Sequence, residues 1–170
     1  MPLRKLLLLV PLLVCTACMQ SRHDMQEYVL PGMALPTFRV TLSDGSIYNT
    51  QQPDGRPTLL LFFSTTCPDC QRALPVVQTF YERYAQPHAI RVAAIGREEA
   101  PATVHTYWTT HGYTIPFSPQ SDRTIYSLFA TQGIPRLYAI DARGIVTHSI
   151  PTPTTLTLEQ LISCFEKTNK

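Results

Sequence analysis

The chain has 170 residues, of which 44% are hydrophobic and 15% charged, and its formal net charge is +2 at neutral pH. This length fits one globular domain with a leader. The small net charge, without any basic run, argues against a nucleic-acid-binding protein.

The first eighteen residues have the features of an export signal. A positively charged start precedes an apolar stretch, residues 6–14, which is far shorter than the ~20 residues that span a bilayer. The stretch ends in Cys-Thr-Ala-Cys, and the small residues before Cys18 resemble a bacterial lipobox. We therefore expect residues 1–18 to form a signal peptide and Cys18 to be lipidated; simple cleavage and an uncleaved anchor are the alternatives. In each case the domain is exported to a compartment where disulfides persist.

The next part of the chain is predicted to hold a tether and a hairpin. Residues 19–30 are polar and mixed, which favours a short tether, and the folded domain is predicted for residues 31–170. Extended segments 38–42 and 47–48 flank an Asp-Gly pair, which predicts a β-hairpin.

A buried strand followed by two cysteines forms the centre of the predicted domain. The continuous hydrophobicity of residues 58–63 predicts a strand covered on both faces. After a polar turn, Cys67 and Cys70 stand at C-x-x-C spacing, and a helix is predicted from there to about residue 84. Pro75 lies inside that helix, so we expect a kink.

The position of the two cysteines suits thiol–disulfide chemistry. The first turn of a helix presents unpaired N–H groups and the positive end of the helix dipole, which stabilise a thiolate at Cys67. Cys70 lies one turn further on the same face, where it can attack a mixed disulfide at Cys67. Pro68 suits the helix start because its missing N–H has no partner there. Asp69 is an acid beside the thiolate, and we expect it to oppose that stabilisation.

A zinc half-site and a pair of buried thiols are the alternative interpretations of this spacing. Zinc would need a second pair of ligands at regular spacing, and the five histidines are scattered along the chain. We therefore predict a redox-active dithiol and no metal or other cofactor.

The chain continues with alternating strands and helices. We predict a buried strand over residues 89–96 and a helix from Pro101 to near Gly112, with Trp108 in the core. A short extended segment, residues 115–118, precedes a helix over residues 123–130 capped by Ser121 or Asp122.

The C-terminal part is predicted to hold a second hairpin and a closing helix. Strands over residues 136–141 and 145–150 flank an Ala-Arg-Gly turn. A helix is predicted for residues 156–167, with Thr155 or Thr157 at its start. Cys164 in this helix is expected to be a buried, inert thiol.

Several of these motifs resemble the thioredoxin superfamily and its TlpA/ResA-like branch, with kinship to the AhpC/TSA type. The Cys-Pro-Asp-Cys helix start carries the resemblance, together with Pro75 and the Gly-Ile-Pro motif of residues 133–135, which matches the cis-proline loop. The buried acid of thioredoxin is Leu61 here, and Asp69 is the nearest substitute. The resemblance implies an α/β thioredoxin-like fold: a central mixed sheet flanked by helices, with an N-terminal hairpin and a strand–helix insertion.

The same resemblance implies a function. It indicates an exported, membrane-tethered thiol–disulfide oxidoreductase that exchanges a Cys67–Cys70 disulfide with thiol- or disulfide-bearing exported proteins. Ile134 and Pro135 would position the substrate, and a membrane thiol-relay protein would supply electrons. The residues alone allow either isomer of the Ile134–Pro135 bond, whereas the resemblance implies the cis form. Because Asp69 disfavours the thiolate, we expect a reductase.

Two other functions remain open from the sequence. Ser64 and Cys67 fit the S/T-x-x-C pattern of peroxiredoxins, although Leu60 stands where that pattern has proline. A thioredoxin-fold copper chaperone is the other alternative, in which Cys67, Cys70 and His148 would bind the metal; carriers of that type have three residues between their cysteines, whereas this chain has two.

Overall fold

The computed structural model describes residues 25–153 and 155–166. The predicted signal peptide, with Cys18, lies outside the described residues. Within them, none of the helices has both the length and the apolar character needed to cross a membrane.

A small hairpin begins the fold, as the Asp-Gly motif predicted. Strand β1 (Arg39–Thr41) pairs antiparallel with β2 (Ile47–Asn49). In the turn, the Asp44 carboxylate accepts a hydrogen bond from the Ser46 backbone N–H at 2.9 Å, and Gly45 takes a φ of +82°. Asp and Gly are common in such turns for these two reasons.

A five-stranded mixed sheet carries the core. Its strands are β3 (Thr58–Phe63), β4 (Arg91–Gly96), β5 (Phe117–Ser118), β6 (Arg136–Ile140) and β7 (Val146–Pro151). Their order is β5-β4-β3-β6-β7; β4 runs parallel to β3 and β5, whereas β6 runs antiparallel to β3 and β7. All six residues of β3 are buried, as its continuous hydrophobicity predicted.

Because β6 is antiparallel to β3, we define the two ends of the strands by the direction of β3 and β4. We call them the carboxyl edge and the amino edge of the sheet. At the carboxyl edge, β3 and β4 end and β6 begins, because Phe62 pairs with both Ile95 and Arg136. At the amino edge, β3 and β4 begin and β6 ends, because Thr58 pairs with Arg91 and Ile140.

Within the part of the chain that the structure describes, three α-helices accompany this sheet. They are α1 (Pro68–Phe80), which continues as a π-helical segment (Tyr81–Ala85), α2 (Pro101–His111) and α3 (Leu158–Glu166). Pro75 lies inside α1, and the rings of Phe80 and Phe165 bring α1 and α3 together with centroids 5.5 Å apart.

The predicted helix termini and core residues agree with the structure in α2 and α3. Trp108 is buried and donates its indole N–H to the Ile115 carbonyl at 2.9 Å. Thr157 caps α3: its hydroxyl accepts the Gln160 N–H at 3.2 Å and the Gln160 side chain accepts the Thr157 N–H at 3.0 Å, which is a capping box. Cys164 is 5% exposed, as expected for a core thiol.

One predicted helix is wrong in its length. Over residues 123–130 the structure has only a 3₁₀ turn, Tyr126–Leu128. A helix would have to run through Ala130, whereas this residue forms a β-bridge with Glu27. Asp122 does bind a backbone N–H, that of Thr124 at 2.8 Å, but it closes a turn without starting a helix.

The same contact alters the end of the predicted tether. Residues 25–29 lie against the domain: Val29 is 2% exposed, and Glu27 forms a β-bridge with Ala130. The polar composition of residues 19–30 did not indicate this packing, because the Glu27 side chain is polar but has its partners inside the fold.

Candidate active site

The two predicted cysteines lie at the carboxyl edge, where β3 turns into α1. Cys67 is the N-cap residue of α1 and Pro68 its first residue. The sulfur of Cys67 accepts the Cys70 backbone N–H at 3.5 Å, so an otherwise unpaired N–H of the first turn points at it. Both are free thiols; Cys67 is partly exposed, whereas Cys70 is buried.

Burial separates the two thiols chemically. Removal from water raises the pKa of the Cys70 thiol strongly; a hydrogen bond with the Ser64 backbone lowers it less, the neighbouring Cys67 raises it further, and Arg97 has a small lowering effect. Cys70 therefore keeps its proton at neutral pH, since only the charged form is penalised by burial. Cys67 is therefore the thiol that is accessible from solvent, and Cys70 lies buried behind it.

The predicted cis-proline loop faces this pair. The Ile134–Pro135 peptide bond is cis, which confirms that expectation, and the Cys67 thiol donates to the Ile134 carbonyl at 3.6 Å. The start of β6 thereby brings Ile134 and Pro135 beside the helix start that carries Cys67.

A buried acid that the sequence analysis did not identify holds the turn before Cys67. Glu99 is 4% exposed. Its carboxylate accepts the Ser64 hydroxyl at 2.5 Å, the Thr65 N–H at 2.7 Å and the Thr65 hydroxyl at 2.9 Å. The signal was available: Glu99 follows β4, and the carboxyl ends of parallel neighbours meet at one edge of a sheet.

Asp69 has a partner that the sequence analysis also missed. Arg72, one turn further along α1, forms an ion pair with it, and both side chains are largely exposed. The Asp69 charge is therefore partly offset near the thiol, in a place where water already weakens it.

Two more residues of the site come from β4 and α2. Arg97, directly after β4, packs its guanidinium over the Tyr126 ring at 5.0 Å. Burial raises the pKa of Tyr107, and the nearby Cys70 adds to this. Tyr107 also borders a groove of about 530 Å³ along α2, lined by Thr65, Ala102, Thr103, Thr106, Tyr107, Thr110 and His111.

The described residues contain no group of three or more His, Cys, Asp or Glu side chains placed to hold a metal ion. The structure thus does not bring His148 together with Cys67 and Cys70 as the copper-chaperone alternative would require.

Solved structures place this architecture among thioredoxin-like proteins. StoA from Bacillus subtilis superposes with a TM-score of 0.64 at 20% identity, covering 79% of this chain and 98% of its own. A secreted disulfide oxidoreductase from Mycobacterium tuberculosis gives 0.64 at 17% identity, covering 77% and 96%. Likenesses at this identity establish the fold.

Relatives in sequence define the class more closely. The thiol–disulfide oxidoreductase ResA of Bacillus anthracis is 23% identical over 125 residues, 74% of this chain and 72% of its own length. The thiol–disulfide oxidoreductase YkuV of Bacillus subtilis is 26% identical over 108 residues, 62% and 73% of the two chains. Fold, dithiol and relatives together define a ResA/TlpA-like oxidoreductase of the thioredoxin superfamily.

The family model described as Redoxin matches residues 30–161. The chain belongs to the Redoxin family.

Proposed function

We propose that the protein is an exported thiol–disulfide oxidoreductase that reduces disulfides in exported partner proteins through Cys67 and Cys70. The observation that carries this proposal is the asymmetry of the two thiols. Cys67 is reachable and receives an N–H of the helix start, whereas Cys70 is buried behind it and protonated.

The reaction follows from this asymmetry. The Cys67 thiolate attacks one sulfur of the partner's disulfide, a Cys67–partner disulfide forms, and the partner's other sulfur leaves as a thiolate that takes up a proton. Cys70 then gives up its proton and attacks Cys67, which releases the partner's second thiolate. The partner gains two electrons and two protons, and the enzyme leaves with a Cys67–Cys70 disulfide.

A substrate chain would dock across the Ile134 carbonyl. Ile134 and Pro135 border Cys67 on one side, and the groove along α2 borders Thr65 on the other. A backbone edge beside the reactive sulfur suits an extended peptide, because main-chain hydrogen bonds hold it without demanding a particular sequence.

The reducing direction rests on Asp69 and requires an electron donor. An acid next to the reactive cysteine disfavours the thiolate and with it the reduced enzyme, which lowers the reduction potential. A membrane protein that passes electrons through its own thiols would regenerate the Cys67–Cys70 dithiol. No other cofactor is needed.

Export and anchoring rest on the leader. Its apolar stretch and the small residues before Cys18 favour a lipid-anchored protein on the outer side of a bacterial membrane. Radiolabelled palmitate tests this: incorporation into the wild type and not into Cys18→Ala is expected, whereas equal labelling or none contradicts the anchor.

Trapping tests the reaction. In Cys70→Ser the Cys67–partner disulfide cannot be resolved, so partner proteins should accumulate in complexes that a reductant releases. Cys67→Ser/Cys70→Ser should trap nothing, and Cys164→Ser should trap no more than the wild type. The proposal is wrong if Cys70→Ser forms no mixed disulfides while the wild type consumes peroxide rapidly, which would favour the peroxidase alternative.

A further inference from the structure

The segment that precedes the domain packs against the chain leading into Ile134. We call residues 25–29 the N-terminal strap and residues 132–136 the Ile134 loop. Tyr28 donates its N–H to the Phe129 carbonyl at 2.8 Å, and Thr131 donates to the Gln26 carbonyl at 3.0 Å. The strap thus forms backbone bonds immediately before the Ile134 loop begins.

A buried ion pair joins the strap to the other end of this loop. Arg136 directly follows Pro135 and is fully buried. One of its terminal nitrogens lies 2.9 Å from the Glu27 carboxylate, and the other donates to the Gln132 carbonyl at 3.0 Å. Among the described residues, its Nε and the nitrogen nearest Glu27 have no hydrogen-bond acceptor of good geometry. Charge attraction to Glu27 and the bond to Gln132 are therefore the contacts by which Arg136 ties the loop to the strap.

Further bonds fix Glu27 from the sheet. The hydroxyl of Tyr138 donates to its carboxylate at 3.3 Å, and the Ser149 hydroxyl donates to the same oxygen. Glu27 therefore has partners on β6 and β7 as well as in Arg136, and its position is set by the sheet.

The carbonyls on either side of Ile134 bind donors that lie away from Cys67. Tyr126 donates its hydroxyl to the Gly133 carbonyl at 2.7 Å, and the Thr152 N–H donates to the Pro135 carbonyl at 2.9 Å. Between them, the Ile134 carbonyl points at the Cys67 sulfur. The placement of this carbonyl depends on the contacts behind the loop.

We propose that Glu27 and Arg136 are positioning residues of the active site, which hold the Ile134 loop in place for a substrate chain. Through Glu27, the N-terminal strap thereby contributes to the substrate site. This inference rests on the proposed thiol–disulfide exchange. Glu27 and Arg136 do not touch the reacting sulfurs; they act through the loop.

The test separates docking of a protein from the reactivity of Cys67. Glu27→Gln keeps the shape of the side chain and removes the charge that Arg136 needs. In the purified full-length chain, the rate constant for reduction of insulin disulfides should fall about tenfold or more, as expected when a positioning group shifts. The rate constant for alkylation of Cys67 by iodoacetamide, which needs no docking, should stay within about twofold of wild type.

Asp54→Asn is the matched control. It neutralises a carboxylate that pairs with Arg91 at the amino edge, and both rate constants should equal those of the wild type. Ser149→Ala removes only one bond to Glu27 and is a milder second variant should Glu27→Gln fail to fold; insulin reduction should fall selectively in it too.

Two results would overturn the inference. One is insulin reduction at the wild-type rate in folded Glu27→Gln or Ser149→Ala. The other is an equal loss of insulin reduction and alkylation, which would mean general loosening of the site. A wild type that cannot reduce insulin or any disulfide peptide overturns the proposed function itself, and this inference with it.

Discussion

The two edges of the sheet keep their charged side chains in opposite environments. At the carboxyl edge, Glu99 is 4% exposed and Arg136 fully buried. At the amino edge, the side chains of Asp54 and Arg56 are 37% and 46% exposed. Burying a charge is unfavourable unless its bonds are satisfied, and the buried charges bind the turn before Cys67 and the loop around Ile134. The difference indicates that Glu99 and Arg136 hold backbone in place at the carboxyl edge, whereas Asp54 and Arg56 lie in a solvated turn at the amino edge.

Removing one carboxylate from each edge should test the difference between the two edges most clearly. Glu99→Ala leaves the N–H and hydroxyl groups of Ser64 and Thr65 without their acceptor, and we expect a loss of about 3 kcal/mol in the free energy of unfolding. Asp54→Ala removes ion pairs with Arg56, which is well exposed, and with Arg91, which is 11% exposed, and we expect a smaller loss of about 1 kcal/mol. Urea unfolding at neutral pH measures both.

Glu99→Gln is the control for shape, because its amide oxygen can accept the two bonds that one carboxylate oxygen accepts from the Ser64 hydroxyl and the Thr65 N–H, and its amide group can donate to the Thr65 hydroxyl. It should lose much less than Glu99→Ala. Equal losses for Glu99→Ala and Asp54→Ala would show that the two edges do not differ in the way described.

A pair of glycines at the two ends of β6 provides a second test. Gly133 has a φ of +94° and Gly144 a φ of +84°. A Cβ at Gly133 would lie 2.6 Å from the Met25 sulfur, whereas one at Gly144 would meet nothing within 4 Å. Gly144→Ala should cost about 1 kcal/mol for the left-handed backbone, and Gly133→Ala should cost about 1–2 kcal/mol more because Met25 must also move.

Thermal unfolding of the two variants measures this difference. Met25→Ala combined with Gly133→Ala should recover part of the extra loss, because the crowding atom is gone. Equal losses for the two glycine variants would mean that the strap does not press on Gly133.

The strand and helix pattern was predictable because it depends on local periodicity and on two strong signals. The hydrophobic run of β3 and the C-x-x-C spacing placed Cys67 and Cys70 at a helix start, where the structure has them. Contacts between segments distant in sequence could not be predicted in this way. Glu99 and Glu27 look like surface acids in a polar stretch, and only the fold shows that each meets donors more than thirty residues away.

The helix predicted for residues 123–130 failed for the same physical reason. Its residues have an acceptable cap and apolar spacing, but Ala130 pairs with Glu27 of the strap in a β-bridge at a position where the helix would still run. A tertiary contact overrode a local preference there.

Each edge contains one buried acid that titrates at high pH. Burial raises the pKa of Cys70 at the carboxyl edge and that of Tyr48 at the amino edge. Below pH ~8.5 both the native and the unfolded states hold the Cys70 proton; above it the unfolded state releases the proton while the native state keeps it. The reduced enzyme should therefore lose stability above pH ~8.5, by up to about 1.4 kcal/mol per pH unit.

Cys70→Ser isolates this effect, because Tyr48 stays in both proteins and contributes equally. Between pH 8 and pH 10, the free energy of unfolding of the reduced wild type should fall by more than that of Cys70→Ser. A difference that is constant with pH would contradict the buried, protonated Cys70 on which the resolving step depends.

The pair of Asp69 and Arg72 also lies at the carboxyl edge, but it is exposed like the pair of Asp54 and Arg56 at the amino edge. Its influence on the dithiol should accordingly be small. Asp69→Asn removes a negative charge near the Cys67 thiolate, stabilises the reduced enzyme and should raise the reduction potential by about 20 mV, which corresponds to roughly 1 kcal/mol. Arg72→Gln should lower it by a similar amount, and both shifts should shrink at ~1 M salt because exposed charges are screened. Equilibration with glutathione measures these potentials. A shift in potential that is the same at ~1 M salt would mean that Asp69 acts like the buried charges of this edge. An unchanged potential in Asp69→Asn would remove the electrostatic reason for assigning the reducing direction.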